Sequence, residues 1–161
     1  MDEIELTTDH DDFYRRHHAD AVRWAVALVG DRAVAEELAQ DALVAVHRKL
    51  DELDNPGGYL RRVVVNRCAS WHRSHQRELR RMRRAAAGTA TTYTDPTRET
   101  LALLDGLPYQ QRAAVTLRFW ADWTDADIAA ALGVAEPTVR VLVHRGIASL
   151  RTQLAHEGDE S

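Results

Sequence analysis

The side chains in this sequence that could do chemistry are mostly arginines, and their chemistry is phosphate binding rather than bond making. Residues 61–84 contain nine arginines and one glutamate, and a guanidinium forms forked hydrogen bonds with phosphate oxygens. A GC-rich coding bias would enrich arginine equally well. The histidines and scattered acids match no nucleophile or metal-ligand pattern, and the single cysteine, Cys68, has no CxxC partner. We therefore expect no enzyme, no metal and no cofactor.

The net charge of −4 conceals a segregated pattern. Residues 1–60 carry 14 acidic and 6 basic residues, whereas residues 101–155 carry five of each sign. A DNA-binding protein that acts alone should have a basic field, because phosphate neutralisation supplies most non-specific affinity. The acidic half therefore suits a protein partner, and the arginine-rich segment suits DNA. The acidic N-terminus and the lack of an apolar run of about 18 residues predict a cytoplasmic protein without membrane insertion.

The elements that must position these residues are helices, because apolar residues recur at helical spacing and no period-two pattern persists. We predict a first helix over 11–29 ending at Gly30, a second over 32–50 with Val34, Leu38, Ala42 and Ala45 on one face, and a third from about residue 58. Residues 85–100 have few large apolar side chains and are predicted to be a flexible linker. The predicted fold is all-α, with two small domains over 10–84 and 101–155.

The segment 124–151 has the pattern of a helix-turn-helix. Thr124 and Asp127 have capping-box spacing, and Gly133 suits a left-handed turn between two helices. In the second helix, the apolar stripe Val139, Val143, Ile147 and Leu150 should face inward, which leaves Arg140, His144 and Arg145 outside. That arrangement is expected of a recognition helix. Taken alone, the segment fits a helical hairpin with a solvated face equally well.

The wider segment 107–151 resembles region four of bacterial sigma factors over its full length. The resemblance implies binding to the −35 promoter element through Thr138, Arg140, His144 and Arg145. The chain departs from the family pattern at Pro137, Val141 and Leu142, and we expect Leu142 to face solvent or DNA. The matching residues are Leu107, Pro108, Arg112, Leu117, Arg118, Phe119, Ile128, Ala129, Leu132, Gly133, Thr138, Val139, Arg140 and Arg145.

Three polar residues of the first domain, Glu37, Gln40 and Asp41, fall at i, i+3 and i+4 and share one helix face. By itself such a patch is usually only solvated. The segment "AEELAQDALVAVHRKL" resembles sigma region two, with Leu43 replacing a common Phe. That resemblance implies that Glu37, Gln40 and Asp41 bind a basic coiled coil of core RNA polymerase.

The segment "NPGGYLRRVVVNRCASWHRSHQR" resembles the next part of sigma region two, which contacts the −10 element and captures a flipped base. A flipped base needs a polar group to read its edge and a pocket to cover its face, and the Asn66 amide supplies both a donor and an acceptor. Ser70 replaces a usual Asp, and Leu53 replaces a common aromatic residue. Tyr59 is expected in the core. The predicted −10 contacts are Asn66, Arg61, Arg67, Trp71, Arg73 and Arg77.

Regions two and four alone match the extracytoplasmic-function (ECF, group four) sigma factors of the sigma-70 family. The resemblance implies a sigma factor that directs core RNA polymerase, through its beta-prime and beta subunits, to promoter DNA and helps to open the strands. It also leaves room for an anti-sigma factor as a partner. The alternative is a free-standing helix-turn-helix regulator, which predicts a dimer and a palindromic operator but leaves the region-two residues unexplained.

Overall fold

The computed structural model describes residues 2–85 and 103–159. Those ranges are almost entirely helical, with a short 3₁₀ turn and no strand, so the predicted all-α fold is confirmed. The elements are α1 (Asp2–Val29), α2 (Arg32–His47), the 3₁₀ turn (Leu50–Glu52), α3 (Pro56–Ala85), α4 (Tyr109–Phe119), α5 (Asp125–Leu132) and α6 (Glu136–Asp159).

Local signals in the sequence account for most helix ends. Gly30 has φ +76° after α1, as expected for a residue that must adopt the left-handed conformation. The Asp31 side chain accepts a hydrogen bond from the Val34 amide and caps α2. Two boundaries were predicted wrongly: α1 begins at Asp2 rather than residue 11, and α2 ends at His47 because the chain tightens into the 3₁₀ turn.

The first three helices pack around a core that each of them shares with the other two. The α2 face predicted from helical spacing is buried unevenly. Ala42 is fully buried, but Val34, Leu38 and Ala45 are half-buried. Helix α2 packs against both α1 and α3, so its buried residues form a wider stripe that is centred on a different part of the helix surface. The buried residues of α2 are Ala35, Ala39, Ala42, Leu43 and Val46.

Helices α4, α5 and α6 form the helix-turn-helix domain. Val139 and Val143 are buried as predicted, while Ile147 and Leu150 are half-buried. Gly146 permits a close approach of α6 to α4, since a Cβ there would lie 2.6 Å from Val115 Cγ2. Leu142 does not project freely into solvent: it is half-buried and packs against the core. The expectation for Leu142 was wrong because α6 buries a wider stripe than its main apolar repeat indicates.

The two helical groups pack against each other, and their buried residues form one continuous hydrophobic cluster. Contacts join α3 to α5 and α1 to α4. Apart from Ala85, the linker predicted over 85–100 lies outside the described residues, and the domain boundaries stay predictions. Within the described part of the chain, no helix is long and apolar enough to cross a membrane.

Candidate polymerase-binding and nucleic-acid-binding surfaces

The three residues of α2 predicted to dock polymerase lie together on its exposed face. Glu37, Gln40 and Asp41 are all exposed, and Tyr14 of α1 donates a hydrogen bond of 2.6 Å to Gln40 Oε1. Val44, at i+7 from Glu37, extends the stripe with an apolar side chain that is 39% exposed. Sequence reasoning missed Val44, although its spacing could have identified it. The stripe offers two carboxylates, an oriented amide and an apolar contact to a protein partner.

A second exposed stripe runs along α3. Asn66, Arg73 and Arg77 are spaced at i, i+7 and i+11, so they share one face of the helix, and all three are exposed. Ser70 lies between them and accepts a hydrogen bond of 3.2 Å from Arg73 Nη2. The stripe therefore places an exposed amide, which has both a donor and an acceptor, among guanidinium groups that can contact phosphates.

A groove of about 550 Å³ lies between α2 and α3 on one side of Asn66. Its walls combine aromatic, polar and cationic side chains, as a pocket for an unstacked base requires. Trp71 is half-buried and stacks on His75 with ring centroids 4.4 Å apart and planes within 13°. Tyr59, expected in the core, is half-buried, packs against it and also lines this groove. The lining residues are Leu38, Ala45, Tyr59, Val63, Asn66, Arg67, Ser70, Trp71 and Ser74.

Arg61, also predicted to contact DNA, does not join the Asn66 stripe. Its guanidinium Nη2 lies 3.3 Å from Asp127 Oδ1 of α5, and its Cζ lies 5.7 Å from the centroid of the Trp123 ring. The side chain is 26% exposed. Arg61 therefore contacts the helix-turn-helix domain. Thr124 accepts a hydrogen bond from the Asp127 amide, as the predicted cap requires, but the Asp127 carboxylate binds Arg61.

The predicted recognition helix is α6. Thr138, Arg140, His144 and Arg145 are all exposed, so the structure brings the four predicted residues to its outer surface. Gly133 adopts φ +70° and ψ +36° and ends α5, which sets the direction of α6. Asp125 lies between two arginines: its Oδ1 is 3.4 Å from Arg118 and its Oδ2 is 3.9 Å from Arg140. Arg140 is thus partly neutralised before any DNA contact.

Two buried side chains, Arg112 and Cys68, have structural rather than reactive roles. Arg112 is 1% exposed and pairs with Asp105. Burial raises the pKa of the Cys68 thiol to about 12, and the nearby Arg112 only partly opposes that shift. A buried thiol with a raised pKa is inert. Across residues 2–85 and 103–159, no group of three His, Cys, Asp or Glu side chains is placed to hold a metal ion.

Comparison with known proteins connects the two domains to one family. The sigma-70 region 2 family matches residues 13–78, and the sigma-70 region 4 family matches residues 97–150. The RNA polymerase sigma-E factor of Streptomyces avermitilis is 32% identical over 148 residues, which cover 88% of this chain and 83% of that protein. The ECF RNA polymerase sigma factor SigM of Mycobacterium tuberculosis is 30% identical over 91% of this chain and 77% of that protein.

The fold is also shared with two solved structures, the first of which is the sigma factor RpoE. RpoE, in its complex with the anti-sigma factor NepR from Bartonella quintana, superposes with a TM-score of 0.71 at 23% identity, over 91% of this chain and 97% of that one. CnrH, in complex with the cytosolic domain of CnrY, superposes with a TM-score of 0.68 at 22% identity, over 93% and 90% of the two chains. The chain carries an exposed polar stripe on α2, an asparagine beside an aromatic groove on α3 and a helix-turn-helix. It belongs to the ECF sigma factors of the sigma-70 family.

Proposed function

We propose that this sigma factor divides its work among three surfaces: α2 binds core RNA polymerase, α3 captures the −10 element, and α6 reads the −35 element. The observation that carries the proposal is the placement of the α2 stripe and the Asn66 groove on one three-helix domain, with Leu38 and Ala45 of α2 forming a groove wall. A polymerase bound at α2 therefore holds the −10 groove next to its own DNA path.

The −10 step uses the α3 groove. A base swung out of the stack would place its edge against the Asn66 amide and its face against Trp71. One face of Trp71 stacks on His75, and stacking of the base on the other face would be worth about 1–3 kcal/mol. Arg67 and Arg73 flank Asn66 and would hold the phosphates on either side. The protein contributes binding and positioning, and we propose that it has no catalytic activity of its own.

The −35 step uses α6, and it depends on the polymerase. Residues 101–155 carry five charges of each sign, and Asp125 already offsets Arg140. Free α6 would therefore bind DNA weakly, whereas a domain delivered to the promoter by polymerase needs little affinity of its own. The site of action is then the cytoplasm, where polymerase and chromosome meet. An anti-sigma factor accompanies RpoE in its solved structure, and we propose the same class of partner for this chain.

Reconstitution with core polymerase tests the proposal. The purified chain should bind core enzyme, and only the resulting holoenzyme should protect −10 and −35 elements in a footprint of genomic promoter fragments. Permanganate reactivity should report unpaired thymines near −10 with holoenzyme and not with core or free chain. Tight, palindromic protection by the free chain at physiological salt, without core binding, would instead identify a free-standing regulator.

A further inference from the structure

We propose that His10 and His47 form a binding site for a divalent transition-metal ion that prefers imidazole ligands, such as Zn²⁺, Ni²⁺ or Cu²⁺. The two histidines are 37 positions apart in the chain, so their spacing carries no metal-binding pattern. Only the packing of α1 against α2 brings them together. The site is separate from the three surfaces of the proposed function, and its occupancy can be measured on the free protein without polymerase or DNA.

The ring nitrogens of the pair have the spacing of two ligands on one metal ion. His10 Nδ1 lies 3.1 Å from His47 Nδ1 and 3.3 Å from His47 Nε2, and the two ring planes meet at 89° with centroids 4.3 Å apart. With metal–nitrogen bonds of about 2.0–2.1 Å, two nitrogens lie about 3.3 Å apart on a tetrahedral ion and about 3.0 Å apart at adjacent positions of an octahedral ion. The observed distances span that range, so turning the rings about their side-chain bonds would aim both lone pairs at one ion.

A carboxylate on the far side of His10 prepares its inner nitrogen for this role. His10 Nε2 lies 3.5 Å from Asp51 Oδ1, in the 3₁₀ turn that follows α2. A proton on Nε2, facing the carboxylate, leaves the Nδ1 lone pair directed toward His47, because a neutral imidazole has one donor and one acceptor nitrogen. A metal-bound imidazole commonly donates its other N–H to a carboxylate in this way.

The ligands of the pair decide which ions fit. No group of three His, Cys, Asp or Glu side chains in the described ranges is placed to hold a metal, so Asp51 acts through His10 and water completes the coordination shell. Imidazole suits Zn²⁺, Cu²⁺ and Ni²⁺, whereas Mg²⁺ and Ca²⁺ prefer oxygen ligands. The His10 side chain is 16% exposed and His47 is exposed. An ion can therefore reach the pair from solvent while packing holds one ligand in place.

The site continues the row of contacts that joins α1 to the proposed docking face of α2. His10 lies one turn before Tyr14 on α1, and His47 lies two turns after Gln40 on α2, so the histidine pair follows the Tyr14–Gln40 hydrogen bond along the two helices. A metal ion bound there would tie α1 to α2. It would also add positive charge about 10 Å along α2 from Gln40, beside the stripe proposed to bind a basic partner.

Metal binding by the free, full-length protein, prepared without a histidine tag, tests the site. Titration calorimetry with Zn²⁺ and with Ni²⁺ should show one ion per chain that is lost in both His10→Gln and His47→Gln, and Mg²⁺ should not bind. Asp51→Asn should keep the ion but weaken its affinity about tenfold, the lower end of the cost of losing such a carboxylate partner. X-ray absorption of the Zn²⁺ form should show two imidazole nitrogens at about 2.0–2.1 Å.

Matched variants separate this site from the other histidines and from simple charge removal. His18→Gln on α1 and His156→Gln, at an exposed position of α6, each remove one histidine and should keep the ion. Asp54→Asn makes the same charge change as Asp51→Asn at another exposed residue and should leave the affinity unchanged. Loss of the ion in His18→Gln or His156→Gln, with binding kept in His10→Gln, would place the metal on other histidines and overturn the proposal.

Thermal unfolding gives a readout that does not depend on calorimetry. An ion that binds only the folded chain raises its Tm, so saturating Zn²⁺ should raise the Tm of the wild type and not that of His10→Gln or His47→Gln. Circular dichroism without metal should show equal helix content in all three proteins. Equal metal binding by the three proteins, or no binding by the wild type, would show that the pair is a hydrogen-bonded contact only.

A last measurement asks whether the ion affects docking, a role that rests on the proposed function. If the added positive charge opposes a basic partner, saturating Zn²⁺ should weaken binding of the wild type to core polymerase several-fold more than it weakens binding of His10→Gln. That variant corrects for ions bound by the polymerase itself. An equal effect on both proteins would overturn the docking role and leave the metal site. Absence of core binding by every protein, with or without metal, would instead refute the proposed function while the calorimetric result stands.

Discussion

Helices α3 and α6 both carry the residues proposed to bind DNA, but they differ in charge and in the state of their side chains. Residues 61–84, most of α3, hold nine arginines against one glutamate, whereas the domain of α6 is neutral. On α3, Asn66 stands beside an aromatic groove, while on α6 Arg140 lies 3.9 Å from an acid. We therefore propose that α3 supplies attraction and base capture, and that α6 contributes selectivity once it has been brought to the DNA.

The largest expected loss of binding comes from the α2 stripe that is proposed to bind polymerase, rather than from either surface proposed to bind DNA. Changing Glu37 and Asp41 together to Arg should weaken core-polymerase binding by about 2–5 kcal/mol, the range for charged pairs at an interface. Sedimentation or surface-plasmon binding to core enzyme would measure it. The pair Glu52→Arg and Asp54→Arg makes the same charge change elsewhere in the domain and should cost little; an equal loss in both pairs would mean a general charge effect.

Asn66→Ala tests whether α3 captures a base of the −10 element, as proposed. It should impair strand opening and −10 selectivity by a few kcal/mol, because the unpairing cost of the flipped base remains while its hydrogen bonds are lost. Permanganate reactivity of −10 thymines in holoenzyme complexes would measure the loss, and recruitment to the duplex should change less. Ser74→Ala removes another polar group from the same groove and is the matched control. Normal opening by Asn66→Ala would show that this groove does not hold the base.

At α6, Arg140→Ala and Arg145→Ala should each cost roughly 1–3 kcal/mol in holoenzyme binding if the side chain reads a base, with relaxed preference at one −35 position. A uniform loss across sequences would mean a phosphate contact instead. Arg151→Ala, further along the same exposed face of the helix, should change binding little. Holoenzyme affinities on a panel of single-base −35 variants would distinguish these outcomes. Failure of strand opening with normal recruitment would contradict the assignment of α6 to the −35 element.

The positioning of α6 rests on a single turn. Gly133→Ala should destabilise the second domain by about 1–2 kcal/mol, because Gly133 has φ +70° and a side chain at that conformation is strained. No atom lies within 4 Å of the added Cβ, so the cost is conformational rather than steric. Gly158→Ala, which also meets nothing within 4 Å but has no positive φ, is the control and should be neutral or slightly stabilising in thermal unfolding.

The smallest expected effect is a pH dependence of the free energy of unfolding that comes from His72 of α3. Burial lowers the pKa of His72, and burial also lowers the pKa of His17. Below the ordinary value near 6.5, the unfolded chain binds protons that the folded chain resists, so stability should fall as pH falls from about 7 toward the lowered pKa. His72→Gln, which can still donate to the Leu28 carbonyl, should flatten that slope in denaturant titrations; an unchanged slope would exclude His72 as its source.

Short-range patterns in the sequence determined the helices and the identity of their exposed residues. Thr124 and Gly133 act within one turn of their own position, so their spacing alone predicted one helix start and one turn. The exposure of Glu37, Gln40 and Asp41 followed from helical periodicity in the same way. The helix ends were predicted less accurately, as the C-terminal end of α2 shows, because the last turn of a helix depends on what it packs against.

Only the tertiary structure decided which residues meet across the chain. Arg61 and Asn66 are five residues apart in one arginine-rich segment, and the sequence alone gave no reason to separate them. In the folded chain they face different directions, and Arg61 pairs with Asp127, 66 positions away. Tyr109 and Val65, and Trp24 and Trp123, meet in the same way. Such contacts depend on how two completed domains dock, and no local spacing encodes that arrangement.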